Sequence, residues 1–412
     1  MQTHSQVTRK MIVICEPQCV GFEHVEVNAA LIAAMRCALP HEEILFLAER
    51  EHLERVSGVL EDQRVQIQSR EIGVPPRPLS DFSRFPRELL LCKNVFDIAR
   101  NNAANKVLFT SITSPTLISI KVLLRFFNEI ECVAIPHRIL NSITKRPSLV
   151  PTKTPFWLRF WLSVGNVKRL RYLVLSPYIE ERLSVLLPKI GKYVRSVDLP
   201  YFFDPEKDSR GLNSDPIRFG AFGEAVRSKG ADIFFAMAKE ISRSHVRCVP
   251  EFVLVGHVPD KTIGELQEDF VIVESSDLPL SREDYKTRAK SVDYVLFLNR
   301  PDAYELVVSG SLMDAFSYLR PIIALKQPLF EYYFKTMGDI GYLCESYGEV
   351  KERIFNILAN KPNERYSAQQ RNILNGREQF SPMAVSSKLA TLWNGETVTG
   401  ASFSATRFRR NV

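Results

Sequence analysis

The sequence predicts an α/β protein built from two Rossmann-like, doubly wound parallel-sheet domains that face one another across a cleft. Three observations predict it. Short apolar runs alternate with helix-spaced segments from residue 11 onward, the same alternation restarts at Ile217, and a stretch carrying Pro200, Pro205 and a cluster of charges lies between the two series. A chain of 412 residues suits two domains of ordinary size. Strands that are apolar throughout belong to parallel sheets covered on both faces by helices.

In the first series, Met11–Cys15, Ile44–Leu47, Val65–Ile67, Val107–Ser111, Val133–Ile135 and Tyr172–Ser176 read as strands. Between them, Val25–Leu39, His52–Leu60, Leu89–Ala99, Thr116–Phe127 and Ile179–Leu187 read as helices. Pro40 stops the first helix, and Ser114-Pro115 reads as an N-cap with a first-turn proline. Pro147, Pro151 and Pro155 interrupt the rhythm before it resumes.

In the second series, Ile217–Phe222, Phe252–Gly256, Phe270–Val273, Tyr294–Leu298 and Pro321–Leu325 read as strands, with helices at Ala231–Ile241 and Ser311–Tyr318. Ser381-Pro382 opens a last helix that runs through Trp393. The expected organisation is a tail at 1–10, a first Rossmann-like domain at 11–200, a linker at 201–216 and a second Rossmann-like domain at 217–380. A helix at 381–397 then returns toward the first domain, and a disordered tail follows at 398–412 with Arg407, Arg409 and Arg410.

Composition narrows the function. Hydrophobic residues at 45% and charged residues at 25% exclude disorder as the dominant state. The formal charge of +7 is mild, without the dense basic stripe of a nucleic-acid binder, so no nucleic-acid partner is expected. Seven scattered cysteines without a C-x-x-C pair read as reduced thiols of a cytoplasmic protein, and no metal pattern is completed. No apolar run approaches the roughly 20 residues of a membrane span.

Several catalytic signatures are missing: G-x-G-x-x-G, Walker A and G-x-S-x-G do not occur. Two segments carry chemistry instead. In Arg218–Gly230 a strand runs through Gly220 and Gly223 into a loop bearing Arg227 and Lys229. Backbone amides and cations at a helix start suit a diphosphate. An ordinary strand-to-helix turn with solvated charges reads equally well. In the second segment, Ser309, Gly310 and Ser311 stand at a helix start and Asp314 lies one turn inside, with Glu305 upstream. Such carboxylates can accept paired hydrogen bonds from ribose or sugar hydroxyls. Simple N-capping by the serines and a favourable helix-dipole position for Asp314 are the plainer readings.

Taken together, the ordered series resembles the GT-B glycosyltransferases, near glycosyltransferase family four. Gly21–Val25 resembles the family's first loop and helix start, and Val133–His137 the strand that ends in a histidine. Val174–Ser176 with Ile179–Leu187 resembles the last strand and helix of the first domain. Phe222–Gly230 resembles the element G-R-x(4)-K-G, Phe252–Gly256 the next strand and its glycine, and Asp314 through Ile323 the segment E-A-x(4)-P-V-I. Three departures stand out. Glu224 replaces the motif arginine, Leu306 falls where the first glutamate of E-x(7)-E belongs with Glu305 one residue away, and Leu319-Arg320 replaces the glycine before the proline.

The resemblance implies transfer of a sugar from a nucleotide diphosphate sugar to an acceptor hydroxyl, with retention and without a metal or other cofactor. It implies His137, Lys229 and Glu305 as catalytic residues. Gly21, Gly223, Arg227, Lys229, Ser309, Gly310, Ser311 and Asp314 would bind the donor, Arg227 standing in for the replaced arginine. Glu23 and His24 read as a solvated loop at the cleft.

On the acceptor side, Thr154–Leu162 holds Trp157, Phe160 and Trp161 near Arg159, Lys168, Arg169 and Arg171. Aromatics beside cations fit a helix lying on an anionic membrane surface, which suits a glycan or lipid-linked acceptor and a peripheral position on the cytoplasmic face. A buried helix packed on the first sheet fits as well. The reading is therefore a glycosyltransferase of surface polysaccharide assembly. A non-catalytic nucleotide- or glycan-binding GT-B-like protein, or a nucleotide-sugar epimerase, remains open at this point.

Overall fold

The apolar run Met11–Cys15 forms strand β1, buried at Ile12 through Cys15, and it seeds the first sheet. The computed structural model describes residues 10–76, 80–144, 154–204, 211–212, 216–244, 249–259, 270–273, 280–300 and 305–394, without the side chains of Asp81, Arg138 and residues 154–157. Cys248 and the tail arginines lie outside the described residues.

After β1 come α1 (Val25–Ala38), β2 (Glu43–Ala48), α2 (Arg50–Asp62), β3 (Gln68–Glu71), α3 (Asp81–Asn101) and β4 (Lys106–Phe109). Next are α4 (Ser114–Leu123), β5 (Glu131–Ala134), α5 (Asn141–Thr144), α6 (Thr154–Ser163), β6 (Leu170–Val174), α7 (Pro177–Leu186) and β7 (Val194–Ser196). The strands form a wholly parallel sheet in the order β3-β2-β1-β4-β5-β6-β7.

The second domain runs β8 (Arg218–Phe222), α8 (Ala231–Ser242), β9 (Glu251–Val255), β10 (Val271–Val273), α9 (Arg282–Ser291) and β11 (Tyr294–Phe297). It continues with α10 (Gly310–Ser317), β12 (Ile322–Leu325), α11 (Pro328–Met337), β13 (Gly341–Cys344), α12 (Tyr347–Asn360) and α13 (Asn363–Arg377). Its parallel sheet has the order β10-β9-β8-β11-β12-β13. In each domain the order reverses beside the first strand, at β1/β4 and at β8/β11. Ligands of doubly wound sheets bind outside the strand carboxyl ends at such switch points.

The last helix, α14 (Pro382–Asn394), packs on α1 of the first domain. Two cations beneath the first sheet hold its carboxyl end: Lys106 Nζ donates to Trp393 O at 2.5 Å and Arg171 to Leu392 O at 3.0 Å. The two crossings between domains touch where Tyr201 N donates to Phe380 O at 2.9 Å.

The structure revises several elements. The third strand is Gln68–Glu71 rather than Val65–Ile67, because Arg64 at φ 57° closes α2 and the next residues only bring the chain to the sheet edge. Helix α3 starts eight residues before Leu89, capped by Ser80, and carries Pro86 within it. Thr113, not Ser114, caps α4; its hydroxyl accepts from Thr116 N and the Thr116 side chain answers the Thr113 amide. Strands β7 and β13 and helices α5, α9 and α11 to α13 add to the pattern read from the sequence.

Candidate active site

Three glycines shape the loop at the β8/β11 switch point. Gly223 has φ 85°, its N–H donates to Val255 O at 2.8 Å, and Ala225 N donates to His257 O at 2.9 Å. A Cβ on Gly256 would lie 1.9 Å from Gly223 O, and one on Gly230 (φ 76°) would lie 2.1 Å from Leu298 O. Only glycine allows backbones to pass this closely. The packing turns residues 227–229 into one 3-10 turn and carries Lys229 back over the sheet.

A Cβ on Gly223 would stand 3.5 Å from Lys229 Nζ and 3.7 Å from Ser311 Oγ, so the ammonium and the hydroxyl converge on the glycine backbone. Together with Glu224, Asn299 and Ser309 they line an open cavity at the strand ends. Ser309 caps α10: its Oγ accepts from Leu312 N at 3.4 Å and lies 3.3 Å from Ser311 Oγ. Gly310 and Ser311 open that helix, where first-turn amides have no intrahelical acceptor. The structure thus brings together Gly223, Lys229, Ser309, Gly310 and Ser311.

Other expected site residues do not line this cavity. Arg227 is exposed, 3.7 Å from Asp232, and its carbonyl accepts from Arg300 Nε; it does not line the cavity. Asp314 is engaged on both oxygens, by Tyr201 OH at 2.6 Å and Tyr285 OH at 2.8 Å. Burial raises its carboxyl above the usual aspartate range, against the two phenols and the charge of Lys229, which pull it down. Tyr201 belongs to the interdomain crossing, so this carboxylate ties the linker to α10. Glu305 receives Nε and Nη2 of Arg182 on α7, at 2.9 and 2.7 Å, across the domains. Beside it, Leu306 N donates to Asn141 Oδ1 at 3.3 Å.

The first domain presents a histidine pair. His137 follows β5, and its ring lies 5.5 Å from that of His24, edge to face. His24 precedes α1 with φ 56°, a left-handed conformation costly for a non-glycine residue. Neighbouring Phe22 reaches His257 of the second domain, ring centroids 6.5 Å apart. Gly21 (φ 55°) is tied inward: its N–H donates to Glu49 Oε2 at 3.3 Å and its carbonyl meets His52 Nδ1 at 3.1 Å.

Sequence reasoning missed what fills the β1/β4 switch point. Glu16, fully buried after β1, accepts from Gln18 N at 2.9 Å, Cys19 N at 3.0 Å, Asn28 Nδ2 at 3.2 Å and Thr110 Oγ1 at 2.8 Å, and from Ser111 Oγ. Burial alone would raise this carboxyl; the hydrogen bonds outweigh it and hold it below the ordinary glutamate range. Burial also lowers the pKa of His52, whose Nε2 lies 2.9 Å from Asn28 Nδ2.

Helix α6 turns its leucines inward. Leu158 and Leu162 are buried, Phe160 is 49% exposed, and half-buried Trp161 stacks edge-on against Phe160 at 5.1 Å. The Trp157 side chain lies outside the described residues. Two expected surface cations serve internally: Arg169 donates to carbonyls of Phe127 and Ile130 in the connection between α4 and β5, and Arg171 holds α14. Among the described residues no helix is long and apolar enough to cross a membrane, and no cluster of three or more His, Cys, Asp or Glu could hold a metal.

No protein-family model matches the sequence, and no curated protein matches it. Solved structures do. HepE (Alr3699) of Anabaena, in complex with UDP, superimposes with TM-score 0.63 over 94% of this chain and 100% of its own at 13% identity. Sucrose-phosphate synthase of Thermosynechococcus elongatus gives 0.65 over 94% and 99% at 13% identity. The lipopolysaccharide outer core galactosyltransferase WaaB gives 0.57 over 94% and 99% at 14% identity. The fold is GT-B. In this GT-B chain the Lys229 cavity occupies the switch point of the second domain, and the histidine pair belongs to the first.

Proposed function

We propose that this protein is a glycosyltransferase that moves a sugar from a nucleotide diphosphate sugar to a hydroxyl of a glycan or lipid-linked glycan, with retention of configuration, in surface polysaccharide assembly. The observation that carries the reading is the convergence of Lys229, Ser311 and the Gly223 backbone beside the start of α10. A departing diphosphate gathers negative charge as the glycosidic bond breaks. A fixed ammonium and oriented dipoles stabilise that charge without reorganising, typically by about 3–4 kcal/mol for a key donor. This supports leaving-group stabilisation by the protein itself rather than by a metal. UDP in the HepE complex makes a uridine nucleotide the first donor to try.

His137 and His24 would meet the reacting sugar or acceptor from the first domain. Glu305 would reach the donor sugar only after releasing Arg182. The reading also places the protein against an anionic membrane on its cytoplasmic face. Helices α3, α4 and α6 pack side by side, and Phe82, Leu90, Val122, Phe126, Phe160 and Val164 are exposed on or beside them, with exposed Arg125 and Lys168 nearby.

One observation favours a second reading, a non-catalytic nucleotide- or glycan-binding protein. Glu224 stands where the motif has arginine, and Lys229 is the one cation among the described residues lining the cavity. A panel of nucleotide sugars and glycan acceptors separates the two. Transfer that Lys229→Ala abolishes supports the enzyme; nucleotide binding without turnover across the panel supports the binder; absence of thermal stabilisation by any nucleotide or glycan of the panel rejects both.

A further inference from the structure

One buried polar group at the cavity has no role in that account. Asn299 follows β11, is only 3% exposed, and lines the same cavity as Lys229, Ser309 and Ser311. Its backbone is pinned: Gln327 Nε2 donates to Asn299 O at 2.8 Å. Its side-chain Nδ2 is buried and meets no hydrogen-bond acceptor among the described residues. A buried amide donor without an acceptor is expensive, and native structures keep few of them. The cavity's charges sharpen the point. Among the described lining residues, Lys229 and Glu224 cancel, +1 and −1, so a diphosphate entering here needs neutral donors as well.

We propose that Asn299 is a phosphate-contacting residue: its Nδ2–H donates to a non-bridging oxygen of the nucleotide diphosphate beside Lys229. An amide suits this place. It donates without adding charge, and the Gln327 bond holds the backbone that carries it. The assignment rests on the nucleotide-sugar reading above. It also predicts that an acid here is worse than no side chain, because a carboxylate would face the phosphates.

The test is calorimetric titration of the full chain with UDP and with uridine, alongside ligand-free thermal unfolding. Asn299→Ala should weaken UDP about tenfold or more, the size expected for a hydrogen bond to a charged group. It should leave uridine binding unchanged and ligand-free melting unchanged or raised. Asn299→Asp should weaken UDP further, and Asn299→Ser, which keeps a donor, should recover part of the affinity. Wild-type UDP affinity in Asn299→Ala overturns the assignment while the nucleotide reading stands. Equal losses for UDP and uridine overturn it in favour of a base contact. A lowered ligand-free melting temperature with unchanged UDP affinity makes Asn299 structural. A wild-type chain that binds none of UDP, GDP and ADP sinks the nucleotide reading and this assignment together.

Discussion

The two domains share a sheet topology and differ in what stands at the switch point. In the first domain, Glu16 supplies an internal anion: loop amides, two hydroxyls and an amide side chain all turn toward it. In the second, Gly223 leaves room where a side chain would stand, and Lys229, Ser311 and Asn299 converge on the space. Topology alone offers both places to an anionic ligand. The side chains decide: one place carries its own carboxylate, and the other has donors in want of one.

The largest effect expected from breaking this contrast is on the second side. Lys229→Ala should lower transfer by about 100- to 1000-fold, read as kcat/KM with a UDP sugar and a competent acceptor. Chemical unfolding should change little, since the side chain is not part of a core. The converse holds for Glu16→Ala, which removes an acceptor shared by five buried or half-buried donors. It should destabilise the first domain by about 3 kcal/mol in chemical denaturation and leave UDP affinity within about threefold.

Acidity sharpens the contrast at lower amplitude. The Glu16 carboxyl is held below its ordinary value, so its stabilisation is fully present above about pH 4.5 and disappears as the pH falls through the lowered folded-state value. Glu16→Gln should therefore be less stable than wild type at pH 7, with the gap closing as the pH falls below 4.5. A gap of constant size would mean that the carboxylate charge contributes nothing there. The smallest effect concerns the bridge between the domains. Arg182→Ala removes a partly exposed pair with Glu305 and should cost no more than about 1 kcal/mol, checked by thermal unfolding.

Much of the fold was legible because buried parallel strands announce themselves as apolar runs such as MIVIC, EFVLV and YVLF. The Gly223–Gly230 loop was legible as a glycine turn between a strand and a helix, although the sequence did not separate a phosphate loop from an ordinary turn with solvated charges. The signals for α11 were present and unread: Pro328 in the first turn, then Leu329, Phe330, Tyr333 and Met337 on one face. What spacing could not deliver were meetings across the chain. Glu16 finds Ser111 from 95 residues away, Tyr201 finds Asp314 from 113, and Arg182 finds Glu305 from 123. Arg227 and Lys229 looked interchangeable as phosphate ligands. A 3-10 turn of three residues sets side chains two positions apart on different sides, so only Lys229 enters the cavity.

The contrast between the two switch points is tested most directly by amide hydrogen exchange on the full chain with and without saturating UDP. Protection should appear in the Gly223–Gly230 loop and at the Ser309–Leu312 start of α10, while segments 16–21 and 110–113 stay unchanged. Protection confined to those first-domain segments, or none at either place, would contradict the account.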